Sequence, residues 1–98
     1  MKQLTPAELK DWMQELTTFT LIDVRELWEH EIYNIGGIHI PMDELIARRA
    51  EIDTNAPVVV YCEKGIRSVI AIQRLEGYGF QNLINLQGGM SAWKKLSQ

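Results

Sequence analysis

The chain has 98 residues, a formal net charge of −3, and a composition that is 46% hydrophobic and 23% charged. That is enough for a single domain spanning 1–98 with an ordinary soluble composition, and too little for two separate cores. The acidic balance lacks the basic face that nucleic acid requires, the apolar runs are too short to span a bilayer, and one cysteine allows neither an internal disulfide nor a thiolate metal cluster.

The opening Met1-Lys2-Gln3-Leu4-Thr5-Pro6 contains no apolar signal core, which predicts a cytoplasmic chain with neither a membrane nor a nucleic-acid partner. Residues 2–4 read as a short edge strand. Thr5, Pro6 and Glu8 then supply an N-cap, a first helical position and the far side of a capping box. Leu9, Trp12, Met13 and Leu16 continue as one apolar stripe at helical spacing. Residues 20–24 read as a buried strand, 25–32 as a helix, and 38–40 as a short strand stopped by Pro41. The spacing predicts a helix over 43–52, with acid at its start and Arg48-Arg49 near its end to complement the macrodipole. Pro57-Val58-Val59-Val60-Tyr61 is the strongest strand signal, a β-branched run suited to a central parallel strand covered on both faces. A helix over 67–78 ends at Gly77 and Gly79; a strand over 82–86 breaks at Gly88-Gly89, and a short helix over 90–96 closes the chain. Strand–helix alternation of this kind predicts a three-layer α/β/α sandwich on a mainly parallel sheet. In such sheets ligands bind beyond the carboxyl ends of the strands, where Cys62 follows the strongest one.

From that cysteine the chain reads Cys62-Glu63-Lys64-Gly65-Ile66-Arg67-Ser68 and runs directly into a helix. A loop between strand end and helix start can curl so that successive N–H groups point inward and form an anion nest. Gly65 permits the curl, and the helix N-terminus adds further unsatisfied N–H groups. Arg67 and Lys64 bring cations to the rim, and the Ser68 hydroxyl is positioned to donate to the sulfur. Such a setting favours thiolate over thiol and would equally hold a persulfide anion. Glu63 opposes this, and is expected to turn its charge into solvent, where it is screened. A small buried hydrophobe ending a core strand is the plain alternative for a free cysteine. The glycine, arginine and serine that follow within one turn outweigh it.

Three segments together resemble the single-domain rhodaneses over nearly the whole chain. Leu21-Ile22-Asp23-Val24-Arg25-Glu26 is similar to the family's early Asp-Val-Arg-Glu signature. Cys62 to Ser68 resembles its six-residue active-site loop with the start of the helix it opens, and Leu86-Gln87-Gly88-Gly89-Met90-Ser91-Ala92-Trp93 its C-terminal Gly-Gly…Ala-Trp signature. The resemblance implies a five-stranded parallel sheet flanked by helices and transfer of sulfane sulfur through a cysteine persulfide. It makes Cys62 the nucleophile and the backbone of residues 63–67 the cradle, with Arg67 and Lys64 facing an anionic donor. Asp23 and Arg25 would act from behind the loop through a charge pair. No cofactor or metal is implied. Cationic loops go with a thiosulfate-like donor, neutral ones with mercaptopyruvate. Where the family usually has Gly-His-Ile-Pro-Gly-Ala, this chain has Ile32-Tyr33-Asn34-Ile35-Gly36-Gly37, so no polar role is expected of that loop.

The implied reaction is a double displacement between a small sulfur donor and a thiophilic acceptor. The alternatives are a persulfide relay fed by a desulfurase protein and a noncatalytic interaction module. A tyrosine-phosphatase cradle needs five residues between cysteine and arginine, and here four intervene; a dithiol oxidoreductase lacks its second cysteine. His30 and His39 read as structural, Trp12, Trp28 and Trp93 as core packing, and Met42 and Met90 as gap-fillers or lining of the site rim.

Overall fold

In the computed structural model, which describes residues 1–15 and 18–96, five strands make one sheet in which every pairing is parallel. They are β1 (Lys2–Leu4), β2 (Thr20–Asp23), β3 (Ile38–His39), β4 (Val58–Tyr61) and β5 (Leu83–Leu86), in the order β1-β5-β4-β2-β3. The most apolar run therefore occupies the middle. Val59 lies opposite Leu21 on one side and Ile84 on the other.

Four helices cover the sheet: α1 (Pro6–Gln14), α2 (Leu27–Ile32), α3 (Arg67–Glu76) and α4 (Gly89–Leu96). Alternation along β4 sends Val58, Val60 and the following Cys62 to one face, where they pack with Ala71, Ile72 and Leu75 of α3. Val59 and Tyr61 go to the other face, with Leu9 of α1 and Met90 of α4. All four β4 residues are fully buried, and each large aliphatic removed from water in this way contributes about 1.5–3 kcal/mol. The capping box forms as the sequence predicts. Glu8 N–H donates to Thr5 Oγ1 at 3.2 Å, and Thr5 N–H donates to Glu8 Oε1 at 2.9 Å. Leu16, the last residue of the expected apolar stripe, lies outside the described residues.

Three expectations are corrected. The helix expected over 43–52 is a pair of 3-10 turns, Met42–Glu44 and Arg49–Glu51. Only Leu45 and Ile52 are buried there, too few apolar anchors to hold a continuous helical face. Trp12 and Trp93 pack against the second core cluster, but Trp28 is 64% exposed on α2. The methionines do not line a rim: Met90 is fully buried and Met42 packs against the first cluster.

Candidate active site around Cys62

The loop from Cys62 to Ser68 leaves the central strand, curls once and enters α3. Gly65 sits at φ +85°, a left-handed conformation that favours glycine, at the point of reversal. The curl points amides inward and carbonyls outward. Gly65 N–H donates to Cys62 Sγ at 3.1 Å and Ser68 N–H donates to it at 3.3 Å. Outward, the Cys62 and Glu63 carbonyls accept from Met90 N–H and Ser91 N–H, both at 2.9 Å. The first turn of α4 thus uses its unpaired amides to hold the loop from behind. The contact is close because Gly89 carries no side chain. A Cβ on Gly89, at φ +59°, would run into the backbone of Cys62 and Glu63.

Cys62 is 1% exposed and joins the apolar cluster of the α3 face, so its sulfur lies on the floor of the cradle. The wall toward the loop is polar and the wall toward the core apolar. No histidine or carboxylate hydrogen-bonds to Sγ among the described residues. Ser68 is also placed differently from the sequence expectation. Its Oγ lies 3.4 Å from Sγ, but it donates to Asn85 Oδ1 at 2.5 Å, so its one proton points away from the sulfur.

The charges around the loop form two groups. Arg25, 1% exposed, is held by buried Asp23: its Nε and Nη2 donate to the carboxylate at 3.0 and 2.9 Å. Nη2 also donates to the Tyr33 carbonyl at 2.6 Å, and Nη1 reaches Glu63 Oε1 at 3.2 Å. Glu63 is therefore not turned into solvent as expected. Its other oxygen accepts from Ser91 Oγ at 3.2 Å and lies 3.8 Å from Lys94 Nζ. Burial pushes the Asp23 carboxyl up, but hydrogen bonds from Arg25 and His30 outweigh it and hold the group below the usual carboxylate range. The second group is a two-pronged pair. Arg67 Nη1 and Nη2 donate to the two oxygens of Glu29 in α2, each at 2.8 Å. Glu29 is held below the ordinary carboxylate range, chiefly by those bonds. Lys64 is exposed and makes no ion pair among the described residues; Ile66, 68% exposed, points away from the fold at the mouth.

The loop over 32–37 does have a polar role, through its main chain. Besides the Tyr33 carbonyl, the Gly36 carbonyl accepts from the Tyr61 hydroxyl at 3.1 Å, and Ile35 N–H donates to that hydroxyl at 3.4 Å. His30 and His39 stack at 4.6 Å. Nδ1 of His30 donates to Asp23 Oδ2 at 2.8 Å and Nε2 of His39 to the Arg25 carbonyl at 2.7 Å. Glu29, Tyr61 and Asn85 were not singled out by the sequence. Asn85 alone left a signal there, as the one amide inside the strand read over 82–86, Asn82-Leu83-Ile84-Asn85-Leu86. Beside the loop, Arg25, Trp28, Glu29, Ile32, Tyr33, Glu63 and Lys94 line a shallow groove of about 230 Å³. A larger one of about 610 Å³, lined by Arg49, Ile52, Thr54, Tyr78 and Phe80 among others, lies among the segments preceding β4 and following α3, away from the cysteine.

Residues 5–96 match a family model described as a rhodanese-like domain. The chain is 36% identical over 98 residues to the "probable adenylyltransferase/sulfurtransferase MoeZ" of Mycobacterium tuberculosis, covering 97% of this chain and 25% of that protein. It therefore spans about a quarter of that relative's length. It is 35% identical over 75 residues to the thiosulfate sulfurtransferase GlpE of Coxiella burnetii, covering 76% of this chain and 70% of that one. Among solved structures it superposes on a rhodanese-like domain protein from Staphylococcus aureus with a TM-score of 0.87 and 32% identity, covering 95% and 91% of the two chains.

Proposed function

We propose that this chain, which belongs to the rhodanese-like domain family, is a sulfurtransferase that moves sulfane sulfur from thiosulfate or a similar anionic donor through a persulfide on Cys62. The observation that carries the reading is the pair of backbone N–H groups, from Gly65 and Ser68, aimed at Sγ from within a loop pinned by α4. Fixed amide dipoles stabilise charge on sulfur without reorganising when that charge moves. The thiolate attacks the outer sulfur of thiosulfate, a new S–S bond forms, the old one breaks, and sulfite leaves with the bonding electron pair. A nucleophilic acceptor then takes the terminal sulfur and the thiolate returns. Sulfite leaves as an anion, so neither half needs a proton, consistent with a sulfur to which no base hydrogen-bonds among the described residues. Arg67 and Lys64 attract the donor. Asp23 and Arg25 hold the loop through Glu63. The name of the Coxiella relative supports thiosulfate as donor.

A second reading, a relay that receives its sulfur from a desulfurase protein, is favoured by apolar exposure at the mouth. Trp28 and Ile32, 64% and 75% exposed, line a groove with Glu63, and Ile66 of the loop is 68% exposed. The test is intact mass. After incubation with thiosulfate and removal of excess, the chain gains one sulfur atom and Cys62→Ser gains none; cyanide then removes it. A gain in the serine variant overturns the assignment of Cys62. No gain with thiosulfate, but one with a desulfurase and cysteine, selects the relay.

A further inference from the structure

Asn85 is 3% exposed in the middle of β5, with apolar neighbours on either side in sequence, and its side chain reaches the loop at two points. Its orientation is fixed by chemistry. The amide nitrogen faces the Gly65 carbonyl at 3.4 Å and Gln3 Oε1 at 2.9 Å, and a backbone carbonyl can only accept. The oxygen of Asn85 must then be the atom that meets Ser68 Oγ, and between two oxygens the only proton available is the hydroxyl's. A serine has one such proton. Its Oγ, 3.4 Å from Sγ, therefore presents a lone pair to the sulfur, where the residue type suggests a donor.

We infer that Asn85 is a positioning residue, which tethers the Gly65 turn and engages the Ser68 proton so that anionic sulfur receives two backbone hydrogen bonds and no hydroxyl hydrogen bond. The inference rests on the sulfurtransferase reading for its purpose. A thiolate given one more donor ionises more readily but attacks more weakly, because nucleophilicity falls as basicity falls. By withholding that donor, Asn85 keeps the anion reactive. The lone pair of Ser68 also opposes charge on Sγ more than charge one sulfur further out, which favours the persulfide over the free thiolate.

The charged and titratable groups around the loop are Arg67 of α3 with its partner Glu29 of α2, Asp23 and Arg25 at the end of β2 with His30 and His39 against them, Glu63 and Lys64 of the loop, and Lys94 of α4. Aspartate, glutamate, lysine, arginine and histidine are absent from β5. Changing Asn85 to an apolar residue of similar size therefore leaves every charge in place.

The experiment is the pH profile of Cys62 alkylation by iodoacetamide, a neutral probe that reads thiolate fraction and intrinsic reactivity separately. In Asn85→Leu the freed hydroxyl turns to the sulfur. The midpoint falls by about one unit, as a hydrogen bond to a charged group implies. The plateau rate falls about threefold, as a Brønsted slope near 0.4–0.5 implies. Adding Ser68→Ala to Asn85→Leu reverses both. Ser68→Ala alone leaves the midpoint in place or lowers it, and this variant decides the matter if Asn85→Leu does not fold. A midpoint raised by about one unit in Ser68→Ala alone would mean that the hydroxyl donates to the sulfur in the native chain, and overturns the inference. Sulfur uptake by the unaltered chain, read by intact mass, tests the sulfurtransferase reading separately, since alkylation proceeds whether or not persulfide forms.

Discussion

Arg67 and Glu29, 38 positions apart, face each other through two hydrogen bonds of 2.8 Å and join α2 to the first residue of α3. The guanidinium beside the sulfur loop is thus already paired with a carboxylate. Arg67 is 38% exposed and Glu29 10%, so the pair borders solvent while its acidic member is largely enclosed.

Glu29→Gln should consequently strengthen donor binding. With the opposing charge removed, Arg67 offers its full field to a dianion. A charge at a partly exposed position is worth about 1 kcal/mol, so KM for thiosulfate falls roughly fivefold with a steeper dependence on salt. Steady-state cyanolysis at two ionic strengths reads both. An unchanged KM would mean that Arg67 does not meet the donor.

Arg25→Leu should be among the most damaging substitutions remote from the sulfur. It leaves Asp23, fully buried, without the guanidinium that matches it and frees Glu63 from the loop's back wall. Removing one partner of a buried ion pair costs about 3–5 kcal/mol, measurable as a lower midpoint in urea unfolding. The double variant Asp23→Leu/Arg25→Leu should recover part of that loss.

Two glycines at positive φ should separate strain from function. Gly79, φ +95°, has open space around it, and Gly79→Ala should cost about 1–2 kcal/mol of stability while sulfur loading stays normal. In Gly89→Ala the added methyl meets the backbone of Cys62 and Glu63, so the loop must move. A displacement of about 1 Å at a reacting atom costs about a hundredfold in rate, which a loading time course by mass would show.

Acid should loosen the clamp around the loop. Asp23 and Glu29 are both held below the ordinary carboxylate range, so each stabilises the fold above about pH 4 and loses that contribution as pH falls through its folded value. Tm should drop steeply below about pH 4, and the slope should be shallower in Glu29→Gln, which has one fewer such group.

What could be read along the chain was local. Val58–Tyr61 declares a buried strand by its β-branched run, Thr5 and Glu8 declare a helix start by their spacing, and the glycines at 65, 88 and 89 mark reversals that a side chain would obstruct. Cys62, placed after that strand and before a helix, falls where inward-pointing amides gather. Each of these depends on residues within a few positions of one another, and covalent geometry carries the information that far. The partners of the charges were a different matter. Glu63 meets Arg25, Arg67 meets Glu29, and Ser68 gives its proton to Asn85, each pair separated by 17 to 38 positions. Those pairings were decided by the parallel crossovers, which set β5, α2 and α4 around one end of β4. Trp28 is exposed for a related reason. The six-residue α2 buries none of its residues, so its indole has no core to enter. Composition and spacing were enough to place Cys62 on a loop between the strongest strand and a helix. Only packing between distant segments determined how many donors that sulfur receives and which cations beside it are already paired.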